Sequence, residues 1–245
     1  TEQGFCSRRA ADKMIEAGRV RINGRAAVLG DQVADGDVVA VDGRVVKRRP
    51  RARYLAYHKP VGVTCTTERR VKGNILQAVG YPERIFPIGR LDKDSSGLIL
   101  LTNDGDIVNL ILRAEFGHER EYVVTVERPY APTFLHCLEH GVPVQGEKTR
   151  PCRTARVDAA TFRIMLTEGR NRQIRRMCSA LGYRVVRLVR IRIMHIRLGD
   201  LPAGKWRELT PKERDELLAE VGRTNTGEGR VLARPGRAGA IGAAS

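Results

Sequence analysis

Three stretches far apart in the chain carry residues that could do chemistry together. The segment "IGRLDKDSSGLILLTNDG", residues 88–105, sets Asp92 between Arg90 and Lys93 at the mouth of an apolar run from Gly97 to Thr102. "HEREYVVTV" presents Tyr122, and "LTEGRNRQIRRM" presents Arg175. Loops fixed on rigid elements are where reacting groups tend to sit. A carboxylate flanked by cations can add to an electrophilic carbon, remove a proton or stabilise a positive centre. A phenol can stack on a planar ring or relay a proton, and a guanidinium fork can clamp a carboxylate through two parallel bonds.

Other chemistries find less support. "GVPVQGEKT", residues 141–149, places Glu147 where a phosphate-binding loop needs lysine, and a carboxylate there repels phosphate, so the segment reads as an ordinary turn. His136 and His140 stand four apart on an expected helix, but no third zinc ligand accompanies them and no metal is expected. Ser95 and Ser96 lie outside a G-x-S-x-G elbow. The tail segment "GRAGAIG" has glycines at dinucleotide-like spacing without a preceding strand, so no cofactor is expected either.

The elements that must position the three residues follow from pattern and charge. Lys and Arg outnumber Asp and Glu by 44 to 28, giving a net charge of +16 over 245 residues, a field that attracts polyanions. Nucleic acid is the first partner this suggests. No stretch approaches a membrane span, and membrane partners are not expected. The five cysteines are odd in number, scattered and without a C-x-x-C pair. Together with the absence of a signal-peptide pattern at the start, this points to reduced thiols and a cytoplasmic protein.

From Ser7 to Gly18 the spacing of Ala10, Ala11, Met14 and Ile15 predicts a short helix. Alternating runs with Asn-Gly and Asp-Gly turns follow and predict hairpins. Arg8, Arg9 and Lys13 on that helix, and Arg19, Arg21 and Arg25 after it, could meet phosphates. Residues 1–46 thus form a small helix-and-hairpin domain and residues 47–53 a basic linker. Residues 54–221 form a larger domain of intermixed strands and helices, and residues 222–245 a disordered Gly/Ala/Arg-rich tail. The fold class is α+β, with a mixed, mostly antiparallel sheet. Arg190 and Arg192 alternate with Val189, Ile191 and Ile193, which predicts both cations on one strand face, available to phosphate. Arg170, Arg172 and Arg176 near the start of the preceding helix would extend that surface.

The unit over residues 5–46 resembles the small RNA-binding domain named after ribosomal small-subunit protein four, without the R-L-x-K-Y-type segment that usually precedes "CSRR", so the domain is expected to be incomplete at its start. From residue 5 to 218 the chain is similar to RNA pseudouridine synthases of the RsuA/RluB/RluE/RluF family. The likeness is carried by "KPVG" at 59–62, the long aspartate motif and "RIMHIRLGDLPAGKWRELT" near the end. It implies isomerisation of uridine to pseudouridine in large-subunit ribosomal RNA, with transfer RNA as a second substrate class, by a monomer. It also implies Asp92 as the reacting carboxylate, Arg175 as its guanidinium partner, Tyr122 stacked on the target uracil, and Arg90 entering the space the base vacates. Two rivals remain at this point: a non-catalytic RNA-binding protein, and a nucleoside or glycoside hydrolase using Asp92 with Asp94.

Overall fold

The computed structural model describes residues 6, 8–34, 36–46, 51–68, 70–112 and 117–222, with the side chains of Arg8, Asp106 and Asn109 excepted. Part of the linker, residues 47–50, and the tail from 223 onward lie outside the described residues, so the expectations for them are not met with coordinates.

The N-terminal unit is one helix on a small sheet. Helix α1 (Arg8–Glu16) ends where Gly18 takes φ +67°. Strands β1 (Val20–Ile22) and β2 (Arg25–Ala26) join through Asn23 and Gly24, and β3 (Val39–Val41) and β4 (Arg44–Val45) through Asp42 and Gly43. All four linking residues have positive φ, as a type I′ hairpin requires. The order is β2-β1-β3-β4. Val20, Ile22, Ala27 and Val41 form the core, with Met14 and Ile15 of α1 packed on it. Between β2 and β3 no strand forms among the described residues. Asp31 accepts the Val28 N–H and Asp37 accepts the Ala34 N–H, so carboxylates close turns where a ladder would otherwise form.

The larger unit is built on strands β5 (Tyr54–Lys59), β6 (Phe86–Ile88), β7 (Ser96–Thr102), β8 (Arg120–Val126), β11 (Arg153–Arg156), β12 (Thr161–Leu166), β13 (Val185–Ile193), β14 (Ile196–Arg197) and β15 (Trp206–Glu208), with the small hairpin β9 (Pro143–Val144) and β10 (Glu147–Lys148) apart from them. The main order is β11-β12-β8-β13-β7-β5-β15, with β14 on β13 and β6 on β7. Every pairing is antiparallel except β13 with β7. Helices α2 (Ile75–Val79), α3 (Gly105–Leu112), α4 (Thr133–Glu139), α5 (Gln173–Ala180) and α6 (Pro211–Glu220) cover its faces.

Strands β5 and β7 are apolar without alternation because both of their faces are buried. Ala56, Leu98 and Leu100 pack with Ile107 and Ile111 of α3 and Leu217 of α6 on one side. Leu55, Tyr57, Ile99 and Leu101 pack with Ile75 and Val79 of α2 on the other. Each such aliphatic burial contributes about 2 kcal/mol, so the centre of the sheet is a stiff platform. A separate core joins β8, β12 and β13 to α4 and α5. Tyr122 packs against both this core and the one around α2.

Helix α6 is fixed by a capping box: Thr210 Oγ1 accepts the Glu213 N–H, while Glu213 accepts the Thr210 N–H and two bonds from Arg207 at 2.7 Å. The Arg207 bonds, reinforced by the backbone, hold the Glu213 carboxyl at about 2, below its ordinary 4.5. A carboxyl depressed on folding stabilises fully above its unfolded pKa and stops doing so as pH falls through the folded one. Glu213→Gln should therefore cost on the order of 2 kcal/mol at pH 7, roughly 4–8 °C in melting temperature. The gap from wild type should close as pH falls from 5 toward 2, which melts across that range measure.

Candidate active site

Asp92 sits in the loop between β6 and β7, and that loop is tied down from several sides. The Ser95 N–H bonds the Asp92 carbonyl at 3.1 Å, and the Gly62 N–H bonds the Lys93 carbonyl at 2.7 Å. The second contact gives "KPVG" a physical purpose. Lys59, fully buried, turns its ammonium back to donate to the Pro60 and Val63 carbonyls at 2.8 and 2.9 Å, shaping the turn that offers the Gly62 N–H. Burial lowers the Lys59 pKa, with Asp92 and Asp94 among the groups that oppose the shift.

Tyr122 lies mid-sheet on β8, opposite Ile164 of β12 and Arg190 of β13. The expectation that Arg190 and Arg192 share a face fails, for a specific reason. The register passes from Arg190↔Tyr122 to Arg192↔Glu121, so Ile191 is the extra residue of a β-bulge. One inserted residue reverses the alternation. Arg190 therefore stands on the Tyr122 side, only 4% exposed, donating from Nε to the Leu98 carbonyl at 2.7 Å and from a terminal nitrogen to the Arg90 carbonyl at 3.3 Å. Arg192 is on the opposite side, bonded to Glu121 at 2.8 Å and Glu119 at 2.7 Å within an ion-pair cluster that also holds Arg153 and Arg163. Its guanidinium is engaged by these two carboxylates on the face away from Tyr122.

Arg175 does not touch the Asp92 carboxylate. Its guanidinium donates to the Asp94 and Val185 carbonyls at 2.9 and 3.1 Å and to Ser95 Oγ at 3.1 Å, and Nε lies 3.4 Å from the Asp94 carboxylate. The aspartate loop turns Asp94, not Asp92, toward α5, so this arginine fastens the loop that carries Asp92. The cation nearest to the Asp92 carboxylate is Arg172, at 3.8 Å. Arg172 caps α5 with φ +52° and spends its fork on Asp94 at 3.1 and 2.8 Å. That pairing, with help from Arg175, pulls the Asp94 pKa down and raises that of Arg172.

Asp92 and Tyr122 line one cleft of about 500 Å3, together with Arg90, Arg120, Arg172 and Arg190. Arg170 lines it too, bonded to Glu168 at 3.2 Å and Glu147 at 3.1 Å. Arg90 is exposed at the rim and pairs with neither Asp92 nor Asp94. Arg176 is held by Asn171 and Gln145 outside the cleft lining. On the N-terminal unit Arg9 and Lys13 are exposed, while the side chain of Arg8 lies outside the described residues. His136 and His140 stack with ring centroids 4.0 Å apart, and no cluster of three or more metal-ligating side chains occurs among the described residues.

A family model described as RNA pseudouridylate synthase matches residues 53–180, and one described as S4 domain matches residues 1–39. The chain belongs to the RNA pseudouridine synthases. The synthase is 48% identical over 242 residues to the dual-specificity RNA pseudouridine synthase RluF of Salmonella typhi, covering 98% of this chain and 84% of that one. It is 36% identical over 227 residues to the ribosomal large subunit pseudouridine synthase B of Bacillus subtilis, covering 88% and 92% respectively. A crystal structure of a pseudouridylate synthase superposes with a TM-score of 0.66 at 30% identity, covering 88% of this chain and 96% of that one.

Sequence pattern alone missed one residue of the synthase's cleft, Arg120 beside Tyr122, and two supports behind it, the buried Lys59 and the approach of Gly97 to Arg190. Arg120 was legible as one more basic residue on a half-buried strand. That two positions along β8 put it in the same cleft as Tyr122 could have been drawn from the period of two.

Proposed function

We propose that this synthase converts a specific uridine of large-subunit ribosomal RNA to pseudouridine, with transfer RNA as a second substrate class, acting in the cytoplasm as a monomer. The observation that carries the reading is the meeting of Asp92 and Tyr122, 30 residues apart in sequence, in one cleft edged by arginines. The target nucleotide leaves its stack and enters the cleft, at a cost of a few kcal/mol that rim cations such as Arg90 offset. Asp92 faces the anomeric carbon as the bond from ribose to N1 breaks and the electron pair leaves with the base. Tyr122 stacks on the uracil while it turns. The sugar then joins the ring carbon C5, which gives up its proton as N1 regains one, and no atom is lost.

The hydrolase alternative fares worse. It needs a second carboxyl that stays protonated to deliver a proton to the leaving group. Asp94, the only nearby candidate in the aspartate motif, is held in the opposite sense by Arg172 and Arg175. The ribosomal substrate class rests on relatives whose names give the ribosomal large subunit or dual specificity. Comparing modified positions in cellular RNA with and without this protein tests it: loss of pseudouridine at one or a few ribosomal sites is the expected result, and an unchanged map overturns it.

Affinity for RNA should be strongly salt-dependent, because exposed cations such as Arg9, Lys13 and Arg90 replace counterions on phosphates. A plot of log affinity against log salt should fall with a slope of magnitude about 3 or more. Because Arg192 is already paired, Arg192→Gln should leave that slope unchanged, a point filter binding of a target stem-loop can check.

A further inference from the structure

Arg190 is unusual in the catalytic cleft. It is 4% exposed, lines the cleft, and keeps one terminal guanidinium nitrogen buried without a hydrogen-bond partner. A buried donor left unpaired is destabilising, so such a group in a ligand cleft marks the place of a ligand acceptor. Its other two nitrogens grip the Leu98 and Arg90 carbonyls, so the free nitrogen is held in place rather than mobile. Arg120 lines the same cleft from β8, where burial lowers its pKa, and Arg190 is a cationic neighbour.

We propose that Arg190, assisted by Arg120, donates to the O4 carbonyl of the target uracil and is the group that distinguishes uridine from cytidine. This rests on the reading of the cleft as the uridine site. Phosphates follow the surface of a folded RNA, where the exposed Arg90 and Arg172 stand, whereas an everted base goes deepest. Asp92, with a side chain 30% exposed, must meet the sugar near the mouth. The O2 carbonyl lies next to the glycosidic nitrogen and so stays near Asp92, while O4 is at the far end of the ring and reaches the buried sheet where Arg190 lies. Guanidinium groups only donate. They donate to the O4 of uracil and have nothing to accept from the 4-amino group that cytosine carries at the same position. When the base departs with the electron pair of the N1 bond, the same cations face the delocalised negative charge on its oxygens.

The test measures binding in an Asp92→Asn background, where turnover does not interfere, using a target stem-loop with uridine, cytidine or pyrimidin-2-one ribonucleoside at the modified position. The protein with Arg190 intact should prefer uridine to both others by at least about tenfold, the scale set by leaving a buried donor unmatched. Arg190→Gln, whose amide can both donate and accept, should shrink the uridine-to-cytidine preference to threefold or less, and Arg190→Lys should retain it. Equal weakening for all three RNAs would show a phosphate contact or a purely structural role and would overturn the proposal, as would no preference with Arg190 intact. Should Arg190→Gln not fold, a stem-loop with 4-thiouridine, which keeps the N3 proton and weakens only the acceptor at position 4, should bind less tightly than uridine with Arg190 intact, and equal binding would overturn the proposal. Pseudouridine formation by the wild-type protein on the uridine stem-loop is scored separately, so failure of the parent reading is distinguishable.

Discussion

Asp92→Asn should bind target RNA with wild-type affinity and form no measurable pseudouridine, a loss of at least about 10⁴-fold. Asparagine keeps the volume and leaves the loop contacts intact, because those contacts use the backbone of residues 92 and 93 rather than the Asp92 carboxylate. What it removes is the negative charge and the nucleophilic oxygen that the anomeric carbon needs. Asp94→Asn supplies the contrast. Asp94 carries the fork of Arg172 and the approach of Arg175, so its loss loosens the loop without removing the reacting group, and a roughly tenfold decrease is expected. Release of tritium from the C5 position of labelled uridine, read beside filter binding, separates the two. Undiminished release from Asp92→Asn, or equal losses in both variants, would remove Asp92 from its role.

The contrast also shows what a sequence can and cannot carry. The apolar run Leu98–Leu101 and the helical stripe Ile174, Met177 and Cys178 are read from composition and period, because burial acts on each side chain where it stands. Helix α2 escaped notice because it is five residues long, started by Asn74 and stopped by Gly80, with too little length for a period to show. The partners of the charged groups were less accessible still. Which aspartate Arg175 meets depends on how a seven-residue loop turns its side chains, and "DKD" offers two that look alike. The faces of Arg190 and Arg192 depend on a bulge whose cause lies in the pairing with β8, not within β13 itself.

Gly97→Ala should be among the most damaging single-methyl changes in the larger unit. Gly97 has φ +114°, where side chains are rarely accommodated, and a Cβ there would lie 2.3 Å from the Arg190 carbonyl oxygen and 2.5 Å from its nitrogen. Those atoms are main chain in the middle of the sheet, at the parallel pairing of β7 with β13, where Arg190 sits opposite Gly97. They can move only if β7 and β13 part. Overpacking and backbone strain together cost about 3–5 kcal/mol, a large share of the 5–15 kcal/mol typical of a folded domain. The same separation would pull the Leu98 carbonyl from Arg190 and shift the loop that ends at Ser95, so activity should fall further than the folded fraction does. Gly199→Ala is the matched control: its φ is +55° with open space around the added carbon, and about 1 kcal/mol is expected. Thermal melts and single-turnover rates on both variants decide the matter. If Gly97→Ala melts within a degree or two of Gly199→Ala and keeps its rate, the close strand crossing is not what holds Arg190 and the aspartate loop together.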